Sequence, residues 1–385
     1  MKPPRHALIM MLLAVLLIPL AAEAQLAVSS NDNKVRLDNG VNKVVPNAPP
    51  DTISIIDLAV SPPRVVTEIP VPGSVVGPPL SVALTPDESL ALVTSSTKID
   101  PNDPTKTVPD NRVSVVDLKA RPPAVIATLE AGKSAAGVSI NRQGTLALVA
   151  NRSEGTVSIY TIQGKTVTPA GKLTIADEKS GTSHATFTPD GKMALVSRDG
   201  DHKISVLSID GTKVEYTKRD INAGLRPYGI DVSAKGDFAA VANIGIGQGD
   251  TDTVSLIDVR AQPPRVVDTL SVGQTPEGIK VSPDGSIVAV VVMNGSNKAK
   301  DSPFYNDSGR LVLLRASGMK LSKIAEAPIG HWSQGAAFSP DGKTILVGNM
   351  VEKDIQVFSW NGSALKEVGR LKVNGGPAAV RTVEK

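Results

Sequence analysis

One alternating segment of apolar and small polar residues recurs seven times along the chain: 53–58 (ISIIDL), 113–118 (VSVVDL), 157–162 (VSIYTI), 204–209 (ISVLSI), 254–259 (VSLIDV), 311–316 (LVLLRA) and 355–360 (IQVFSW). Period-two alternation is what a β-strand packed chiefly through one face requires. Six of the seven copies follow a second unit, a strand, a tight turn and another strand. These are SVALTPDESLALVTS from Ser81, GVSINRQGTLALVAN from Gly137, ATFTPDGKMALVS from Ala185, GIDVSAKGDFAAVAN from Gly229, GIKVSPDGSIVAVVV from Gly278 and GAAFSPDGKTILVGN from Gly335. Turns centred on Asp190-Gly191, Asp284-Gly285 and Asp341-Gly342 supply the positive φ of a short hairpin, so the two strands pair antiparallel. After the seven-fold strand comes a further β-rich stretch, most visible behind the prolines of DLAVSPPRVV from Asp57, DLKARPPAVI from Asp117 and DVRAQPPRVV from Asp258. It reads as an outer, edge-facing strand.

Each repeat is thus a four-stranded antiparallel sheet, and successive copies start 60, 44, 47, 50, 57 and 44 residues apart. That length matches a propeller blade and exceeds a leucine-rich or ankyrin unit. Seven copies of the third strand against six of the preceding pair leave one blade incomplete, with its missing parts at the two ends. Residues 376–383 (GPAAVRTV) resemble an innermost strand and residues 26–29 (LAVS) the strand beside it. The expected fold is all-β, a seven-bladed β-propeller whose ring is closed by pairing the N- and C-terminal strands. A lone blade cannot bury both apolar faces, whereas seven packed in a circle bury them all and leave only short outer edges.

The first 24 residues change the picture of where the chain works. A basic start (Lys2, Arg5), an apolar run from Ala7 to Leu20 and the small-residue stop Ala22-Glu23-Ala24 read as a secretory signal peptide. The run is too short to span a bilayer. The expectation is a cleaved leader over 1–24 and a single propeller domain over 25–385, periplasmic or secreted, not membrane-embedded, and monomeric. Without Lys2, Arg5 and Glu23 the chain has 39 basic and 37 acidic residues, a balance that asks for no nucleic acid. There is no cysteine, which removes disulfides, covalent haem attachment, thiolate zinc sites and cysteine nucleophiles together. Three histidines after the leader (His184, His202, His331) are too few for a multi-histidine copper cluster, and no GxSxG, HExxH, P-loop or dinucleotide fingerprint occurs. No cofactor is expected. The acidic loops at 100–103 and 248–252 offer carboxylates for calcium but lack EF-hand spacing, so no metal site is assigned.

Leu148-Val149-Ala150-Asn151, Ala240-Val241-Ala242-Asn243 and Leu346-Val347-Gly348-Asn349, each after a PDG-like turn, resemble the tetrapeptide of YVTN-family β-propellers. The resemblance covers the whole chain after the leader, although the literal tetrapeptide is absent. It implies the propeller architecture and a family of binding and surface proteins, similar in fold to propeller lactonases.

Connections between blades and the loops after each second strand should share one rim of the central channel. Most inner strands start with glycine, but the fourth carries His184 there. Arg226, Tyr228, Glu277, His331, Trp332 and Gln334 lie just before these positions, in what read as inter-blade connections, and Arg198 replaces the asparagine that ends a second strand. Long loops at 30–51, 95–112, 243–253 and 294–310 collect on the same rim. Polar residues converging on one mouth bordered by long loops are what a ligand site looks like. Without a nucleophile motif, the leading expectation is a non-catalytic scaffold that presents this rim to a protein, peptide or small ligand, with Tyr228, His331, Trp332, Gln334 and Arg198 as binding residues. The alternative is a cofactor-independent, lactonase-like hydrolase in which Glu277 or His184 activates water and Arg226 stabilises the oxyanion.

Overall fold

The computed structural model describes residues 25–384, so the leader expected over 1–24 lies outside the described residues. Seven four-stranded antiparallel sheets form a propeller ring, with no helix among the described residues. Blade 1 combines both ends of the chain: innermost Gly376–Arg381, then Leu26–Asp32, Thr52–Asp57 and outermost Arg64–Pro70. The expected clasp is therefore present, and its second strand runs three residues beyond the LAVS segment, to Asp32. Blades 2 to 7 are wound consecutively, with innermost strands Val82–Leu84, Ala135–Ile140, Thr182–Phe187, Pro227–Val232, Pro276–Val281 and Ser333–Phe338.

Apolar clusters fill the spaces between adjacent blades. Val138 and Ile140 of blade 3 pack on Ala83, Leu92 and Val115 of blade 2, and Ile279 and Val281 of blade 6 on Ala240, Ala242 and Leu256 of blade 5. The scarcity of aromatic residues is offset by this layering of Val, Ile, Leu and Ala, which fits the taper toward the axis. Trp360, in the seven-fold strand of blade 7, packs with Phe338 and Phe358.

Two of the long loops carry strands of their own. Val35–Asp38 pairs with Val41–Val44, and Thr97–Ile99 with Thr107–Pro109, giving two extra hairpins. The tip of the first reaches the insertion of blade 6, where Lys300 N donates to Asn39 Oδ1 at 3.0 Å. That insertion in turn touches the blade 5 loop, with Lys298 Nζ donating to Gly247 O. The insertions so form a continuous arch across the short loop of blade 7.

Candidate site at the channel mouth

One irregularity, repeated from blade to blade, builds the mouth. The pairing of the innermost strand with its neighbour slips at its first residues in six blades, at Ala136, Ser183, Tyr228, Glu277, Gln334 and Ala378. A β-bulge re-aims the side chain of the extra residue. Just before these strands stands a residue in left-handed backbone: Ser134, Gly181, Arg226, Thr275, Trp332 and Gly375. Two blades use glycine there; Arg226 and Trp332 hold a conformation that side chains disfavour, a feature common at functional sites.

The bulged residues are polar on the four consecutive blades 4 to 7. Tyr228, Glu277 and Gln334 are thus residues of the inner strands, not of the connections where the sequence reading put them; their bulges bring them to the mouth. Two further residues complete the polar side. Arg152 and Asp199 each come directly after the last residue of a second strand, a position the sequence reading passed over. Arg152 grips Asp199 with two nitrogens, Nη1 to Oδ1 at 2.5 Å and Nη2 to Oδ2 at 3.0 Å, and Arg226 Nη2 joins Oδ2 at 2.9 Å. Ser183 Oγ donates to Asp199 Oδ1 at 2.8 Å, and Arg152 lies over the Tyr228 ring, 5.4 Å from its centroid.

The electrostatics are set by this geometry. Burial alone would raise the Asp199 carboxyl, but Arg152, Arg226 and Ser183 outweigh it and hold the acid below the usual carboxylate range. Burial raises the Tyr228 phenol, which stays neutral. Glu277 is pushed up to about 7, first by burial and also by Asp199, against the Gln334 amide and the two arginines, which favour its charged form. The Glu277 side chain is only partly buried. Beside Arg226, whose Nη1 reaches Gly245 O at 3.4 Å, burial and neighbouring Asp250 raise Asp252 to about 7 as well.

The other side of the mouth is apolar. Trp332 is buried with Val75, Met293, Met350 and Ala378 beneath Val35 and Leu37 of the first hairpin. Trp332 is therefore packing under a roof, not an open platform. His331 stands outside this cluster, with Nδ1 2.6 Å from Glu352 Oε1 and Nε2 3.4 Å from Asp307 Oδ1, and ties loops of blades 6 and 7.

His184 and Arg198 are not brought to the mouth. His184 is 1% exposed and comes after the bulge, so its ring fills the space beside Gly137 of blade 3, where a β-carbon would come within 2.4 Å of Nδ1. Burial, then Arg381 and Lys280, hold its imidazole neutral. No hydrogen bond or ion pair joins it to Glu277 or Arg226 among the described residues. Arg198 takes over the structural task of the asparagine it replaces: Asn151 binds Thr156 and Ser158 of the next strand, and Arg198 binds Ser205 at 2.7 Å together with Asp201 and Asp220.

A putative 6-phosphogluconolactonase from Bacteroides fragilis superposes with a TM-score of 0.71 at 15% identity, over 95% of this chain and 100% of that one. The periplasmic gluconolactonase of Pseudomonas aeruginosa gives 0.66 at 16% identity, over 94% and 99%. Hydrazine synthase of Kuenenia stuttgartiensis gives 0.63 at 18%, over 81% and 91%. These likenesses establish the fold alone. No protein-family model and no curated protein sequence matches the chain, so the resemblance to YVTN propellers stays one of motif. Among the described residues no group of three or more His, Asp or Glu side chains gathers as a metal site.

Proposed function

We propose that this exported propeller binds a small polyhydroxylated lactone at the polar side of its channel mouth and hydrolyses it, with Glu277 as general base. The observation that carries this reading is geometric: the Glu277 carboxyl, set at the mouth by its bulge, faces two arginines that one carboxylate, Asp199, holds together, and burial pushes Glu277 up to about 7. A base is most effective when its pKa lies near the working pH. Water adds to the lactone carbonyl while its proton passes to Glu277, and Arg226, the more exposed of the two arginines, balances the charge on the carbonyl oxygen. The ring C–O bond then breaks and Glu277 returns the proton to the departing oxygen, leaving a hydroxy acid. The names of two structural neighbours agree with this chemistry. The test is a pH-stat assay of aldonolactones, with and without a 6-phosphate, on residues 25–385. Turnover falling by about 10²-fold or more in Glu277→Gln is expected; no turnover, or turnover indifferent to that change, removes the mechanism.

A specific observation also favours the scaffold reading. Val41 of the first extra hairpin and Leu225, Ile246, Phe304 and Val351 of neighbouring loops stand exposed on the mouth face. Apolar side chains gathered on one face suit contact with a protein partner. In that case Ile246→Asp with Phe304→Asp abolishes capture of a protein partner, whereas Glu277→Gln leaves that capture unaltered.

A further inference from the structure

The loop between the second and third strands of blade 5, residues 244–251, is wound around a carboxylate. Asp250 Oδ1 accepts Gln248 N at 3.0 Å and Oδ2 accepts Ile246 N at 3.3 Å, so Asp250 moves with the tip of its loop. Asp252 is held differently. It opens the third strand opposite Gly273, is 7% exposed, and its Oδ2 accepts Thr275 N at 2.8 Å. The base of the loop is fixed too, because Ile244 N and Gly245 N donate to Arg226 O and Leu225 O.

The two carboxyls meet at Gly245. A β-carbon there would stand 1.7 Å from Asp252 Oδ1 and 2.5 Å from Asp250 Oδ2, so both oxygens use the space that the glycine leaves, and they hydrogen-bond one another. Two carboxylates this close repel strongly when both are charged, so one proton between them is the low-energy arrangement. Burial first, and then Asp250, push Asp252 up to about 7 against Thr275 N and Arg226. Burial alone would raise Asp250 as well, but Gln248 N, Asp252 and Ile246 N hold it below the usual carboxylate range. The proton therefore sits on Asp252 and is donated to Asp250. The charged groups on the surrounding elements are Arg226, which Asp199 holds and whose Nη1 donates to Gly245 O at 3.4 Å, and Lys298 of the blade 6 insertion, which donates to Gly247 O.

We propose that Asp250 and Asp252 form a proton-operated latch on the channel mouth: sharing one proton they hold the blade 5 loop shut beside Arg226, and without it they drive the loop tip away. Loss of the proton also offers Arg226 a second carboxylate, Asp252, in place of a ligand oxygen. Ligand binding at Arg226 thus weakens as the pH rises through neutrality, in the opposite sense to the activation of Glu277. This regulation rests on the reading of the mouth as a ligand site; the latch itself does not need catalysis.

Two measurements on residues 25–385 test it without turnover. With 13C-labelled aspartate, one γ-carboxyl should titrate at about 7. Asp252→Asn abolishes that titration, and Asp250→Asn, which removes the neighbouring charge, moves it down by about 1 unit or more. Hydrogen exchange, corrected for the intrinsic effect of pH, should show the amides of residues 246–250 opening more readily at pH 8 than at pH 6. That difference is lost in Asp252→Asn, whose side-chain amide still donates to Asp250. Aspartate spectra without a near-neutral titration, or loop protection that does not respond to pH, overturn the latch. A protein that passes both tests but turns over no lactone keeps its latch and loses only the hydrolytic mechanism.

Discussion

Replacing Glu277 with Gln separates two consequences of burying that carboxyl. Its pKa of about 7 in the folded chain lies above the ordinary 4.5, so the protonated acid contributes stability that is fully present below about 4.5 and is lost as the pH rises through about 7. Above that range the folded protein carries a charge that burial penalises. Gln carries none, so Glu277→Gln should gain on the unaltered protein by about 1–2 kcal/mol between pH 4.5 and pH 8, a range reduced for the opening to solvent and the lost arginine contacts. Urea unfolding at the two pH values measures it, and equal differences at both would show that the acid is not perturbed. In the hydrolytic reading the turnover of the unaltered protein rises with pH through about 7, because the base must lose its proton first. A second test at this scale concerns Thr275, a β-branched residue at φ +53° whose main chain donates to Asp252 and accepts from Met293. Glycine keeps both backbone bonds and relieves the left-handed strain, so Thr275→Gly should raise the denaturation midpoint by about 0.5–1 kcal/mol equivalent.

Asp199 acts at the scale of the element, because it joins the ends of three blades through Arg152, Ser183 and Arg226. Asp199→Asn leaves two guanidinium groups without their charge partner, one of them largely buried, and should cost about 2–4 kcal/mol, measured by chemical denaturation, and weaken ligand binding at the mouth. This residue also marks the limit of what the sequence discloses. The repeating strands, the hairpin turns and the clasp were legible because each rests on period-two alternation or on Asp-Gly chemistry that local sequence carries. The bulges were not, since nothing in PEGIKV or PYGIDV tells a paired residue from an extra one; only the register against the next strand does. Arg152 and Asp199 could have been found from the position immediately after each second strand, where Ile244, Met293 and Met350 stand in other blades. His184 misled because its glycine counterparts suggested an exposed substitution, whereas the glycine of the neighbouring blade makes room for its ring.

At the scale of the whole molecule, stability depends on a single non-local pairing. Gly376–Arg381 meets Leu26–Asp32 across almost the full length of the chain, with Val28 opposite Arg381 and Ser30 opposite Ala379. Without this strand, blade 1 loses the surface it shares with both neighbours: Val380 packs with Ala27, Ile56 and, on blade 7, Ala337 and Leu346, and Ala379 with Val28 and, on blade 2, Val82 and Val93. Burying Val380 alone is worth about 1.5–3 kcal/mol, and several such side chains leave the core together. Deleting residues 375–385 should therefore do more than fray an end. The six blades that are wound consecutively each rely on two neighbours, so an opened ring exposes apolar faces at both sides of the gap and loses a single cooperative transition. Calorimetry of the truncated chain should give a lower, broadened transition with increased binding of a hydrophobic dye. Adding residues 375–385 back as a separate peptide should sharpen the transition in proportion to its concentration, because the peptide binds only the folded ring. A truncated protein that unfolds as cooperatively as the intact one would mean that six inner strands suffice and that the clasp only finishes the edge.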